Sequence, residues 1–530
     1  MHRAFIAVVL AVLGFAPSAF ATPVFFVTGH GWGHGIGMPQ YGAYGFAQHG
    51  WTYKQILEHY YPGTQAAQTP ISSVRILLDS GRPSIGFGST APFTVEDGAG
   101  RSWTLPAGTR SLGTGLKLKI DGKVEKLTSP VRVISGAGFV AVGGREYRGS
   151  LTIILAGGSL SVVNNVGLES YLAGVVPWEM PARWSPAALR VQAVAARSYA
   201  LASRKPTGSY DLFDDTRSQV YGGVVAEDPR TNAAISDTAG EIRAYNGAVA
   251  WTFFHSTSGG RTAAVQDVWA GAAPKPYLAS VPDPYDSISP YHNWGPFRYS
   301  RAALDAELGS SVAGRLLDLK TTVNGSRRVG EVLATGSTGA TSISASAFQV
   351  ALGLRSTWFR IGVMNLKTAE RQVAFGHRTK LSGLARGVGK VWLERKREGG
   401  QWTRVRNLKP AADGTFATRV RPRVATAYRI GSKRGTGAPV RVLVAAKVNF
   451  YLVTDPSRLT GVVRPLLPRA TVVIQRRSGT NWRAVARGRT TAGGEFSISV
   501  SVRPGVYRGV ATLGSWSTVG RTPLLHVVSE

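Results

Sequence analysis

Leu168-Glu-Ser-Tyr-Leu-Ala-Gly-Val-Val-Pro-Trp-Glu-Met-Pro-Ala-Arg-Trp-Ser-Pro-Ala-Ala-Leu-Arg-Val-Gln-Ala-Val-Ala-Ala-Arg-Ser-Tyr-Ala-Leu201 reads as two helices joined by a proline-punctuated link. Ser185-Pro186 is a good N-cap and first-turn pair. The run behind it places Leu189, Ala193, Ala196 and Ala200 on one face, and small residues there allow close approach of neighbours. Pro177 predicts that the first helix, from Leu168 to about Gly174, has ended before it, so that Glu179 sits in a rigid link between Pro177 and Pro181. A carboxyl held beside Trp178 and Met180 should have a raised pKa, which suits general-acid chemistry near neutral pH. The same residue could instead cap the second helix or pair with Arg183.

Working outward, residues 70–165 are strand-like. Val74-Arg-Ile-Leu-Leu78, Leu116-Lys-Leu-Lys-Ile120 and Leu151-Thr-Ile-Ile-Leu155 are short runs bounded by Gly or Asp. The C-terminal third repeats itself. Val391-Trp-Leu-Glu-Arg395 is echoed by Val472-Val-Ile-Gln-Arg476, Lys380-Leu-Ser-Gly383 by Arg458-Leu-Thr-Gly461, and Gln401-Trp-Thr-Arg-Val405 by Asn481-Trp-Arg-Ala-Val485. Two tandem β-sandwich-like modules are expected, at about 371–448 and 449–530. The predicted class is therefore α+β: a mixed domain over 22–365 with a β-rich subdomain, then two β modules.

The 530 residues are enough for several domains and carry a formal charge of +32. Residues 371–530 hold 30 of the 62 Lys and Arg but only 6 of the 30 Asp and Glu, so +24 of that charge lies in the tail. Such a field favours polyanionic partners. The N-terminus has the form of a secretory leader over 1–21: Arg3, an apolar run from Ala4 to Leu13, and Ala19-Phe20-Ala21 as a small-x-small cleavage pattern. The expected location is thus the cell wall, periplasm or exterior, which turns the charge away from nucleic acid. Absence of cysteine excludes disulfides, thiolate metal sites and a cysteine nucleophile.

Two further segments carry chemistry. Gly29-His-Gly-Trp-Gly-His-Gly-Ile-Gly-Met-Pro-Gln-Tyr-Gly-Ala-Tyr-Gly45 has glycines that let backbone approach a ligand or a neighbour, but not the spacing of a phosphate loop. His30 and His34 could ligate a metal with His255 or His292, yet no His-Glu-x-x-His pattern supports one, and no metal or other cofactor is expected. A structural glycine-rich turn is the plain alternative. Phe254-His-Ser-Thr-Ser-Gly-Gly-Arg261 sets serines beside a histidine without a Gly-x-Ser-x-Gly elbow, so sugar or backbone hydrogen bonding is the better reading than a nucleophile.

These segments together resemble the SpoIID/LytB family of bacterial cell-wall proteins. The resemblance rests on the opening stretch, Ser218-Gln-Val-Tyr-Gly222, Phe254-His-Ser-Thr-Ser-Gly-Gly260, Ala351-Leu-Gly-Leu-Arg-Ser-Thr357, Gly31-Trp-Gly-His-Gly-Ile-Gly-Met38 and Tyr60-Tyr-Pro-Gly-Thr64. It covers about residues 25–365 and leaves the β modules outside. It implies action on peptidoglycan glycan strands, with Glu179 as the catalytic acid and Arg197 as a second catalytic residue. It also implies a groove shaped by His30, Trp32, His34, Met38, Gln40, Tyr41, Gln219, Tyr221, His255, Ser256 and Ser258. From the residues alone, Arg197 could orient Glu179, bind a sugar carboxylate, or make a structural ion pair with Glu169 or another buried acid.

The resemblance further implies cleavage of the MurNAc–GlcNAc bond as a lytic transglycosylase; the rival is a non-catalytic enhancer of a cell-wall amidase. Ordinary hydrolysis would need a second carboxylate, for which Asp211, Asp214, Asp215 and Asp283 are available. The glycine-rich segment stands at the N-terminus here, whereas in the sporulation branch it follows the Leu-Gly-Leu-x-Ser-Thr segment. That looks like a circular permutation and predicts that Phe25-Phe-Val-Thr28 lies beside Phe359-Arg-Ile-Gly362. Some relatives bind zinc through Cys and His near positions 215–220, and with no cysteine there that metal is not carried over. The basic tail is expected to bind anionic wall polymers.

Overall fold

The structure is a computed structural model that describes residues 19–453, 458–466, 469–512, 520–521 and 524–527. The expected leader, but for its last three residues, lies outside the described residues. Among those described, no helix is long and apolar enough to cross a membrane.

Strand Val24–His30 lies between two antiparallel partners, Asn293–Ser300 and Phe359–Thr368. Its register pairs Phe25 with Val363, Phe26 with Gly362 and Gly29 with Phe359, which is the neighbourhood expected of the displaced glycine-rich segment. Side chains alternate across a strand. Phe25 and Val27 enter one core with Leu304, Val332 and Phe348; Val24 and Phe26 enter another with Met364, Leu393 and Ile430. Burial on both faces explains the unbroken apolar run at the strand's start.

After a glycine-rich loop come helices α1 (Gln40–Gln48) and α2 (Tyr53–Tyr60). Within the segment 29–45, expected as a glycine-rich turn, residues 40–45 are instead helical. The glycines of α1 are there for contact: a Cβ at Gly42 would overlap Tyr60 and Asp283, and one at Gly45 would overlap the Tyr285 carbonyl.

Residues 73–167 form the β-rich part. A seven-stranded sheet carries Ser73–Arg82, Ser159–Gly167 and Ser150–Ala156 side by side, and a four-stranded sheet stands beside it. The strand Ser159–Gly167 leads directly into α3 (Leu168–Glu179), which is followed by α4 (Pro186–Ala202) and α5 (Pro229–Asp237). Sheet and helices share one core, in which Val74, Ile153 and Val162 meet Leu172, Ala193 and Ala196. Ser185 caps α4 with Pro186 in its first turn, as expected.

The helix boundary differs from expectation. α3 continues through Pro177 to Glu179. Proline costs most in a helix interior; here it lies in the last turn, and the Met180 N–H still closes onto the Val176 carbonyl at 2.9 Å.

The two repeats are β-rich, each with two sheets over a buried core. Their echoed segments occupy matching strands: Val391–Arg397 pairs with Thr426–Ser432, and Thr471–Ser478 with Gly505–Thr512. The first repeat is not self-contained. Strand Phe359–Thr368 runs through position 365 and pairs with Thr379–Arg386, while Phe26 packs against the backbone of Gly435. Phe26→Ala is therefore expected to destabilise the first repeat by about 3–5 kcal/mol in urea unfolding. Phe496→Ala, in the separate last core, should leave that transition unchanged. If Phe26→Ala leaves the unfolding of the first repeat intact, the shared core is wrong.

Candidate functional site

Glu179 ends α3 beside Trp178, which remains 60% exposed. The segment 219–222 comes up against this last turn. The Gly222 N–H donates to the Gly174 carbonyl at 2.9 Å, and glycine is needed at both contacts, since a Cβ at 174 would overlap Tyr221 and one at 222 would overlap Trp178. That docking delivers the Val220 N–H to the Glu179 carboxylate. From the other side Gln40, the first residue of α1, donates through Nε2 to Oε2 at 3.4 Å.

The electrostatics of Glu179 follow from these neighbours. Burial raises its pKa above the ordinary glutamate value, and the Val220 and Gln40 donors pull it only part of the way back. Burial thus favours the protonated form more than in an exposed glutamate, while two donors stand ready for the carboxylate. Tyr199 of α4 belongs to the same surroundings: burial, then the charge of Glu179, raises its pKa. Gln192, also on α4, is wholly buried and neither amide atom has a partner among the described residues. Neither residue was among the candidates, although both lie in the quoted motif; their signal was polarity inside an Ala-rich helix.

Arg197 is fully buried and faces away from this carboxyl. Its Nε and Nη2 bind the two Glu169 oxygens at 2.9 and 2.5 Å, and Nη1 donates to the Glu241 carbonyl at 3.0 Å. Expected as catalytic, it is found in the structural pair with Glu169, which ties α4 to the start of α3.

The remaining glycine-rich segment and the serine-rich turn lie side by side. Trp32 and Thr257 exchange backbone hydrogen bonds at 2.8 and 3.1 Å, and the Tyr41 N–H donates to the Ser256 carbonyl. Strands Phe254–His255 and Met38–Pro39 pair in parallel. Residues 30–41 therefore run along 253–258 and end at Glu179.

A family model described as Stage II sporulation protein matches residues 156–245, which hold α3, α4 and the 219–222 segment. Stage II sporulation protein D of Bacillus amyloliquefaciens is 32% identical over 242 residues, spanning 42% of this chain and 67% of that protein. The chain belongs to the SpoIID/LytB family. The Amidase enhancer of Bacillus subtilis is 40% identical over 115 residues, 22% of this chain and 15% of its own length. An uncharacterized protein of Brachyspira hyodysenteriae is 38% identical over 144 residues, 26% of this chain and 38% of its own. The chain thus spans well under two thirds of the length of these last two relatives.

Within this SpoIID/LytB chain, the expected groove residues divide by burial. Trp32 is 44% exposed and meets Tyr291 edge-on at 4.4 Å; His30 and Tyr41 are half-buried against Trp358 and Trp184. Met38, Gln219, Tyr221, His255 and Ser258 are buried and support the surface from behind rather than line it. Tyr221 donates to Asn164, and Gln219 accepts from Tyr171. His34 uses both ring nitrogens, accepting from the Ile36 N–H and donating to the Phe254 carbonyl, and burial holds its pKa at about 4. It is neutral and has no nitrogen left for a metal.

Three of the four alternative carboxylates are committed elsewhere. Asp211 pairs with Arg75 and Asp215 with Arg217. Asp283 accepts from Tyr60 and from Ser258, whose N–H is held by Asp286. Burial, and then the Asp286 charge, push Asp283 up to about 7. Because its folded pKa lies above its unfolded value near 4, the native state binds the extra proton between those values. The stability this gives is complete below pH 4 and is lost as pH rises through 7. Asp283→Asn should therefore flatten the fall in unfolding free energy between pH 5 and 7.5. An unchanged slope would mean that Asp283 is already ionised at pH 5.

Proposed function

We propose that the chain is an exported peptidoglycan lytic transglycosylase. The reading rests on one observation above others: Glu179, half-hidden beside exposed Trp178, holds a raised pKa together with two donors aimed at its charged form. The family assignment supports a cell-wall role.

In this mechanism a glycan strand lies across Trp178, whose exposed indole offers a stacking face to a sugar ring. Glu179 gives its proton to the oxygen of the MurNAc–GlcNAc bond. The C1–O bond breaks, the electron pair leaves with that oxygen, and positive charge develops at the MurNAc anomeric centre. The Val220 N–H and Gln40 amide stabilise the carboxylate left behind. That carboxylate then takes the proton of the MurNAc 6-hydroxyl as its oxygen closes on C1, giving a 1,6-anhydro ring and restoring the acid. One carboxylate serves both steps. Asp211, Asp215 and Asp283 are committed to other partners, so a route that uses a second carboxylate would rest on Asp214, whose pKa burial raises.

Glu179→Gln should lower anhydro-muropeptide formation from purified glycan at least about 100-fold, with strand binding retained, as read by mass spectrometry. The likeness to an Amidase enhancer favours a second reading, in which the same surface binds glycan and presents it to an amidase. Cleavage by neither form, with binding intact, would select that reading.

The basic C-terminal region is proposed to hold anionic wall polymers. A cleft of about 810 Å³ on the first repeat is lined by Lys380, Lys409, Ser382, Asn365 and Phe416, a size suited to a few polymer units. Replacing Lys380 and Lys409 by Ser should weaken sedimentation with walls and reduce the salt slope by about one to two counterions. Equal sedimentation in high salt would contradict electrostatic capture.

A further inference from the structure

The loop at residues 31–37 packs over a charge that no hydrogen-bond acceptor or carboxylate among the described residues answers. Arg328 is 1% exposed, and its Nε, Nη1 and Nη2 all lack a hydrogen-bond partner among the described residues. A guanidinium stays protonated at neutral pH. Burial lowers its pKa only to about 10, and no carboxylate contributes.

Its surroundings are neutral. Gly35, at φ +86°, lies so close that a Cβ would overlap the guanidinium, and the Trp358 ring centre is 5.7 Å away. His34 and His255 both feel the Arg328 charge, which adds to burial in keeping them unprotonated. His255 is itself buried with Nε2 unpartnered. Its Nδ1 faces the Ile36 carbonyl at 3.3 Å. Since a carbonyl only accepts, Nδ1 carries the hydrogen and Nε2 presents a lone pair.

An unpaired ion in the interior costs far more than a paired one, and buried charges in folded proteins have a counter-charge. The positive field of Arg328 opposes a metal cation at the two histidines. We propose that Arg328 binds a small monovalent anion inside the core, against Gly35 and beside His255. One negative charge balances the one cation, and the close packing of Gly35 and Trp358 on the guanidinium favours a small guest. An anion that also carries a hydroxyl, such as hydrogen carbonate, satisfies the His255 lone pair as well; a halide satisfies Arg328 alone. The bound ion fixes the loop that leads from His34 to Gln40, and so the donor of Glu179. The inference concerns the stability of that loop and holds whether or not the chain cleaves glycan.

The test uses the full chain in gluconate, too large for the site, exchanged at constant ionic strength for chloride or hydrogen carbonate. Melting temperature should rise with either small anion by roughly a few degrees, further with hydrogen carbonate. Crystals grown in bromide should show anomalous signal within hydrogen-bond distance of Arg328. Arg328→Met should abolish the anion dependence and, having no buried charge, melt in gluconate no lower than the parent. Identical melting in all three anions overturns the proposal, as does bromide found at surface positions alone. The diffraction arm decides the matter even if the variant does not fold.

Discussion

The pairing of Val24–His30 between Asn293–Ser300 and Phe359–Thr368 is the constraint on which the remaining architecture depends. It brings segments more than 300 residues apart in sequence into one sheet. Its two faces feed two cores, so the same four residues, Val24 to Val27, anchor the mixed domain and the first β repeat. It also sets where the glycine-rich loop begins, and that loop ends at Gln40 beside Glu179. A break in this strand would therefore disturb the site through its supports without touching the carboxyl.

Around Glu179 two opposing effects are balanced. Burial favours the neutral acid, and the Val220 N–H and Gln40 amide favour the anion. Were burial alone present, the carboxylate formed after proton donation would be unsupported; with donors alone, the group would be ionised from the start and unable to act as an acid. The glycines at 174 and 222 make this balance possible, because they let 219–222 approach the helix end closely enough to hydrogen-bond. The ion pair of Arg197 with Glu169 lies at the other end of α3 and holds the helix in place.

Much of this was readable in the residues. The Ser185-Pro186 cap, the Ala-rich face of α4 and the doubled β pattern are local signals, and local signals survive into the fold. The pairing of residues 25–28 with 359–362 was readable only through the family resemblance. What escaped was set by tertiary contact. Pro177 suggested a helix end, yet a proline in the last turn forfeits little, and packing carries the helix on to Glu179. Gln40 to Gly45 looked like a turn because its glycines suggest backbone freedom; they instead clear room for Tyr60, Asp283 and Tyr285. For Ser258 and His255, residue type indicated hydrogen bonding but could not say whether the partner would be substrate or the protein itself.

The central claim is that burial raises the pKa of Glu179 above that of an ordinary glutamate. Carbon-13 NMR of the glutamate side-chain carboxyls, with Glu179 assigned by its loss in Glu179→Gln, measures this directly. The Glu179 resonance should titrate above the ordinary glutamate value near 4.3, and higher still in Gln40→Leu, where one donor to the carboxylate is gone. Titration at or below the ordinary value, unmoved by loss of Gln40, would contradict it.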